Sequence, residues 1–187
     1  RPPLLYAPSD YPNLGLVRKL LHLAIVAGAG DEIATIQRTL TYIHDEIRHD
    51  GQNSNPEGGN NSINYAAVCK DGSRGLNCRG LATVLNECYL ASGIPSRVIT
   101  CMPKTYVTDC HVINAVYSST LGKWLWVDPT NNAWVTDDRG NMLSRKEVRE
   151  RRIRGKPVQV SEVAKWNNQK KITIEEYLSD DLGKNRV

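Results

Sequence analysis

Several things are scarce in this 187-residue sequence, and each scarcity excludes a class of protein. The most apolar stretch, Leu14 to Ala29, is short and interrupted by Arg18, Lys19 and His22, so no membrane span is expected. A net charge of +4 is too small to argue for nucleic acid by itself. The five cysteines, at 69, 78, 88, 101 and 110, form no CxxC pair and match no zinc spacing. No structural metal and no cofactor are therefore expected. Neither an internal repeat nor a linker interrupts the chain, which reads as one domain over 1–187 with an extended segment at 1–13. At 40% hydrophobic and 24% charged residues, it can bury one good core. No Met stands at position 1, and the opening RPPLLYAPSDYP is Pro-rich rather than signal-like, which suggests a mature or trimmed form.

What remains is an α+β order. Leu14 to Ala27 and Asp31 to His49 have helical periodicity, with Asp31 a plausible N-cap after the Gly28 and Gly30 break. Gly51 to Asn64 is rich in Asn and Gly and reads as a loop leading, through Ile63 to Lys70, toward Cys78. Ser96 to Cys101, Cys110 to Tyr117 and Trp124 to Asp128 read as strands, with further strands expected at Lys156 to Val160 and Lys171 to Ile174. The run SRKEVRERRIRGK (Ser144 to Lys156) carries seven basic residues against two acidic, on an expected helix beginning at Ser144. No aromatic residues are interleaved for base stacking, so it reads as a solvated face rather than a nucleic-acid surface.

The chemistry concentrates on Cys78. It opens the helical run LNCRGLATVL, after a loop containing Gly72, Ser73, Gly75 and Asn77. A helix N-terminus favours negative charge and lowers a thiol pKa, as does a nearby imidazolium, and the thiolate is the nucleophile. Two partners follow. His111 heads the run CHVINAVY, and Asp128 ends WLWVDPT. If the segment SSTLGK joins these runs as a hairpin with Tyr117 opposite Trp124, Asp128 faces Ile113, two residues from His111. Strand alternation then puts His111, Ile113, Ala115 and Tyr117 on one face with Trp124, Trp126 and Asp128, and a one-residue slip would separate the imidazole from the carboxylate. Trp124 and Trp126 could wall an acyl pocket on that face. His44 and His49 are five apart and share no helix face, so they read as surface or packing residues.

The stretch GLNCRGLATVLNECYLASGIPSRVI, followed by His111 and WVDPT, resembles the core of the transglutaminase-like superfamily. TYIHDEIRHD is similar to the helix that precedes that family's Cys region. The resemblance implies a papain-like fold, with N-terminal helices and the nucleophile helix packed on an antiparallel sheet, and a triad of Cys78, His111 and Asp128. It also implies acyl transfer through a thioester, with Asn77, Trp124 and Trp126 toward the substrate. Animal transglutaminases resemble GQCW at the nucleophile, whereas this chain has Asn77 before Cys78 and Arg79 after it. It is more similar to shorter microbial members that look like peptidases or amidases acting on peptides or proteins. Protein-glutamine cross-linking and a non-catalytic binding module on the same fold stay open. With Cys78 as a free nucleophile, the other cysteines could form disulfides in an oxidising compartment, Cys101 with Cys110 first, while Cys88 suits a small core residue. A secreted setting is slightly favoured.

Overall fold

The computed structural model describes residues 6–102, 110–167 and 169–178. Its first helix, α1 (Pro12–Leu20), starts on a proline in its first turn and ends with Arg18 and Lys19, charges that suit the carbonyl end of a helix. The expected helix from Leu14 to Ala27 is broken. His22 takes a left-handed conformation (φ 49°), and a separate short helix, α2 (Leu23–Ala27), follows.

The next helix, α3 (Glu32–Glu46), begins where Asp31 accepts the Ala34 N–H at 2.7 Å. Ile36, Leu40 and Ile43 form its buried stripe. This helix stops three residues short of the expected His49, because Ile47 is extended (φ −127°, ψ 109°) and the chain goes on to pair with the Cys78 loop. The Asn- and Gly-rich loop leads into α4 (Ser62–Cys69), capped by Asn61.

Helix α5 (Cys78–Ala91) is capped by Asn77, which accepts the Gly80 N–H. Leu81, Val84, Leu85 and Cys88 turn inward from it at three- and four-residue spacing. Cys88 is a small core residue as expected, and burial drives its thiol pKa upward.

The sheet is antiparallel throughout, in the order β1 (Ser96–Cys101), β2 (His111–Ser118), β3 (Lys123–Asp128), β4 (Ala133–Thr136) and β5 (Gln159–Val160). Between β4 and β5 runs α6 (Arg145–Ile153), closed at its start by a reciprocal Ser144–Glu147 capping box. A small hairpin of β6 (Lys165–Trp166) and β7 (Lys170–Lys171) comes next, then one turn of helix, α7 (Ile174–Glu176).

Three expectations shift here. The strand proposed at 156–160 contracts to β5, the one proposed at 171–174 gives way to α7 after Lys171, and β4 was not anticipated.

Alternation along β2 and β3 divides the core in two. Val116, Leu125 and Val127 meet α5 and α3 on one face, in a cluster with Ile36, Leu40, Leu81, Val84 and Leu85. Ile113 and Trp126 face the other way, toward Val135, Leu143, Val148 and Tyr177. Burying a side chain of this size is worth about 1.5–3 kcal/mol, so both faces hold the hairpin in a single register.

All five cysteines are free thiols. The expected Cys101–Cys110 bridge does not form, because the β1–β2 register sets Cys101 opposite His111 rather than opposite Cys110.

Candidate active site

Cys78 is the first residue of α5, where N–H groups lack intrahelical partners. The approach to it is held in place by backbone pairing. Leu76 and His49 form a parallel bridge, with Leu76 N–H donating to the Arg48 carbonyl (3.1 Å) and Asp50 N–H donating to the Leu76 carbonyl (2.7 Å). Gly75 is required for this, since a Cβ there would lie 2.4 Å from the Arg48 oxygen.

His111 is the first residue of β2 and Asp128 the last of β3. Tyr117 pairs with Trp124 and Asn114 with Val127, the register derived from the sequence. His111 Nε2 meets Asp128 Oδ2 at 2.7 Å, and both side chains are buried. With Nε2 committed to the carboxylate, Nδ1 is the ring nitrogen left to serve the thiol.

Asp128 has no exposed surface, and a carboxylate in that setting requires donors. The structure supplies them. Thr130 N–H donates to Oδ1 (2.9 Å), while Asn131 Nδ2 (3.2 Å) and the Tyr177 hydroxyl (3.0 Å) donate to Oδ2. Burial works against the charge, but His111 and these hydrogen bonds outweigh it and hold the carboxyl below its ordinary pKa. Tyr177 is fixed in turn by the Trp126 indole N–H, which donates to its oxygen at 2.9 Å.

At Cys78, burial alone would raise the thiol pKa. Hydrogen bonds from His111 and His49 and the charge of His111 overcome this and lower it to about 6. The sulfur also points at the Cys110 carbonyl, 3.9 Å away.

The three residues read as a triad are thus brought together, and Asn77 adjoins Cys78, but the two tryptophans assigned to substrate fall elsewhere. Asn77 is the N-cap of α5 and donates to Asn55 Oδ1 at 3.1 Å. Trp124 is on the predicted face at the wrong end. Its partner Tyr117 is six residues up β2 from His111, roughly 20 Å at strand rise. There it stacks edge-on with Tyr117 and under Arg97. Trp126 is 1% exposed and belongs to the core. Both tryptophans line a cavity of about 510 Å³ with Arg97, Ile99 and Arg145, and Cys78 is absent from that lining. They wall no acyl pocket at the sulfur, because a shared face of a strand does not mean a shared end.

Two contributors escaped the sequence reading. Tyr177 reaches Asp128 across a separation of 49 residues, for which no local pattern exists. His49, expected as a surface or packing residue of α3, lies beyond the end of that helix and beside the thiol. The packing expectation suits His44, which is buried with Nδ1 3.0 Å from the Pro129 carbonyl. Among the described residues no cluster of His, Cys, Asp and Glu suits a metal, and no helix is long and apolar enough to cross a membrane.

Residues 20–129, more than half of the chain, match the transglutaminase-like superfamily, and the protein belongs to that family. Members of that superfamily are usually cysteine-based enzymes of the papain-like type. Among solved structures, a candidate cysteine protease from Cytophaga hutchinsonii is similar at a TM-score of 0.51 with 18% identity, over 66% of this chain and 40% of that one. A structure described as a TGase aligns at a TM-score of 0.43 with 21% identity, over 63% of this chain and 31% of that one. The likeness to the first is one of fold, and this chain spans less than half the length of either. The search of curated proteins returned no match.

Proposed function

We propose that this protein is a thiol-dependent amide hydrolase, a peptidase or amidase acting on peptide or protein substrates. The observation that carries this reading is a thiol lowered to about 6 at a helix start, beside an imidazole anchored to a fully buried carboxylate. Near neutral pH such a thiol is largely thiolate.

In the proposed cycle the Cys78 sulfur attacks an amide carbonyl carbon, forming a C–S bond while the C=O π pair moves onto oxygen. The tetrahedral adduct collapses, the C–N bond breaks, and His111 gives the departing amine its proton. The resulting thioester is cleaved by a water molecule whose proton passes to His111. The carboxylic product leaves and Cys78 is regenerated. Asp128 keeps the imidazole in one orientation and tautomer without itself taking a proton. Water is the favoured acceptor because the substrate-side residues of the cross-linking enzymes are not matched around Cys78, where Asn77 and Arg79 flank the nucleophile.

The test is a library of quenched fluorogenic peptides, run with and without a fluorescent primary amine, on wild type and Cys78→Ala. Cleavage that depends on Cys78 supports the hydrolase. Incorporation of the amine in preference to hydrolysis supports transamidation instead. No turnover, with iodoacetamide labelling Cys78 no faster than the other thiols, supports a non-catalytic module.

A further inference from the structure

The Asp128 carboxylate takes two of its hydrogen bonds from the turn that follows it, from the Thr130 N–H (2.9 Å) and the Asn131 side chain (3.2 Å). Where that turn stands therefore decides how the carboxylate meets His111.

The turn is held from two directions. On α3 the Thr41 hydroxyl donates to Asn132 Oδ1 at 3.0 Å, and His44, on the same side of the helix, donates from Nδ1 to the Pro129 carbonyl at 3.0 Å. From the C-terminal part of the chain, the Ser161 hydroxyl donates to the Asn132 carbonyl (3.1 Å) and the Lys165 N–H to the Asn131 carbonyl (2.9 Å). Asn132 keeps a left-handed conformation (φ 47°), which is costly for a residue with a Cβ and persists only where the surroundings impose it.

One of these ties reaches Asp128 through a single rigid unit. The Pro129 carbonyl and the Thr130 N–H are opposite edges of the same planar trans peptide. One edge accepts from His44 and the other donates to Asp128 Oδ1. The path thus runs from an imidazole N–H through one amide plane to the carboxylate, and on to His111 Nε2, 2.7 Å from Oδ2. Hydrogen bonds in such a chain polarise one another. Proline locks φ at position 129, so the plane swings on ψ of Pro129 and φ of Thr130, and the His44 bond stops that swing.

The state of His44 suits this task. The residue is 3% exposed, and because a carbonyl can only accept, Nδ1 carries the proton. Burial pushes its pKa below the ordinary value, with Lys165 acting in the same sense and the Pro129 bond, Asp45 and Asp128 opposing. The ring is therefore neutral near neutral pH, and a proton taken at Nε2 would leave the Nδ1–H in place. Nε2, also buried, makes no hydrogen bond among the described residues. An apolar side chain would fill the same space without burying a bare nitrogen, so what the histidine adds is the N–H.

We propose that His44 is a positioning residue for the triad: its Nδ1–H, acting through the Pro129–Thr130 peptide, holds the Thr130 N–H on Asp128 and thereby fixes the carboxylate against His111. This rests on the thiol-enzyme reading, and the test separates the two.

The N–H can be kept, moved or removed. In His44→Asn the amide nitrogen takes the place of Nδ1, in His44→Gln it takes the place of Nε2, and His44→Phe keeps the bulk with no N–H. Two measurements are made on the full chain, with a urea midpoint for each variant. The pH dependence of iodoacetamide alkylation at Cys78 reports how well the imidazole supports the thiolate. Steady-state hydrolysis of p-nitrophenyl acetate reports His111 as a base. There the thiolate bonds to the acetyl carbon and p-nitrophenolate leaves with its bonding pair; water then cleaves the thioester, its proton passing to His111 as acetic acid departs and the thiolate is regenerated.

His44→Gln and His44→Phe are expected to raise the alkylation midpoint by about 0.5–1 pH unit and to slow hydrolysis about three- to tenfold, the worth of one hydrogen bond. His44→Asn is expected to keep the wild-type midpoint and hydrolysis within about twofold, although its smaller side chain leaves a cavity and lowers the urea midpoint.

Wild-type hydrolysis and alkylation in His44→Gln and His44→Phe overturn the proposal and leave the hydrolase reading standing. Losses that follow the urea midpoint, or that are equal in His44→Asn and His44→Gln, overturn it as well, since the ring would then serve only the fold. The Asn and Gln variants decide the matter by themselves if His44→Phe does not fold. Should wild-type Cys78 alkylate only near the free-thiol pKa of about 8.5, with Cys78→Ala hydrolysing the ester as fast as wild type, the thiol-enzyme reading fails and the proposal with it.

Discussion

Replacing Asp128 by asparagine tests both the electrostatics and the geometry of the site with a change of one atom. Oδ1 accepts the Thr130 N–H, and Oδ2 accepts from His111, Asn131 and Tyr177. An amide has one acceptor oxygen and one NH₂ group. If its oxygen takes the Oδ2 position, the NH₂ faces the Thr130 N–H. In the other rotamer the oxygen keeps the Thr130 N–H, and the NH₂ is accepted by His111 Nε2 once the ring proton moves to Nδ1, with the Tyr177 hydroxyl also able to turn. The first arrangement strands the buried Thr130 N–H at about 1–3 kcal/mol, and the second avoids that cost by putting the imidazole in the wrong tautomer.

The fold survives that cost, but the negative charge beside the imidazole is lost and the wrong tautomer is no longer disfavoured. Turnover on a cleaved fluorogenic peptide should therefore fall by up to about 10⁴-fold, against a modest fall in the urea midpoint. Alkylation of Cys78 should also require a higher pH, because a less firmly held imidazole supports the thiolate less well. Turnover within tenfold of wild type would refute the reasoning, as would an unchanged alkylation profile.

Tyr177→Phe removes one donor from Asp128 and strands the buried Trp126 N–H, so it should destabilise by about 1–3 kcal/mol in urea unfolding, with turnover reduced far less than in Asp128→Asn. Glu32 accepts from Ser118, Ser119 and Thr120 at the hairpin turn; although burial opposes ionisation, these bonds lower its pKa from 4.5 to about 2. A depressed carboxyl stabilises fully above its unfolded value and loses that contribution as pH falls from about 4.5 toward about 2, so Glu32→Gln should be less stable than wild type at pH ~6 and approach it as the medium is acidified. Urea titrations at several pH values measure this, and a constant difference across that window would contradict it. Neutralising Arg149, Arg152 and Arg154 on α6 should leave peptide turnover unchanged, whereas Arg151 pairs with Asp138 and donates to the Pro157 carbonyl, so its loss should lower the melting temperature instead.

Local sequence determined the features whose causes are local. Asp31, Asn77 and Ser144 cap helices because each side chain accepts the N–H three residues on, a relation contained within one turn of chain. The β2–β3 register follows from alternation and the short Ser118 to Lys123 connection, which together bring His111 and Asp128 to one end of one face. Placing Cys78 at a helix start needed only the periodicity of the residues after it.

Tertiary structure decided whatever depended on which distant segments meet. Helical periodicity continues past Glu46, yet α3 stops there because pairing with Leu76 requires an extended chain, and that extension sets His49 opposite Leu76, two residues before Cys78. Tyr177 and the β6–β7 hairpin come from the C-terminal part of the chain, and no period in the sequence records that they close onto Asp128 and His49. Trp124 and Trp126 show the same limit from the other side. Alternation assigned them the correct face, but the distance along the strand, and the packing of Trp126 against Tyr177, were set by the assembled core.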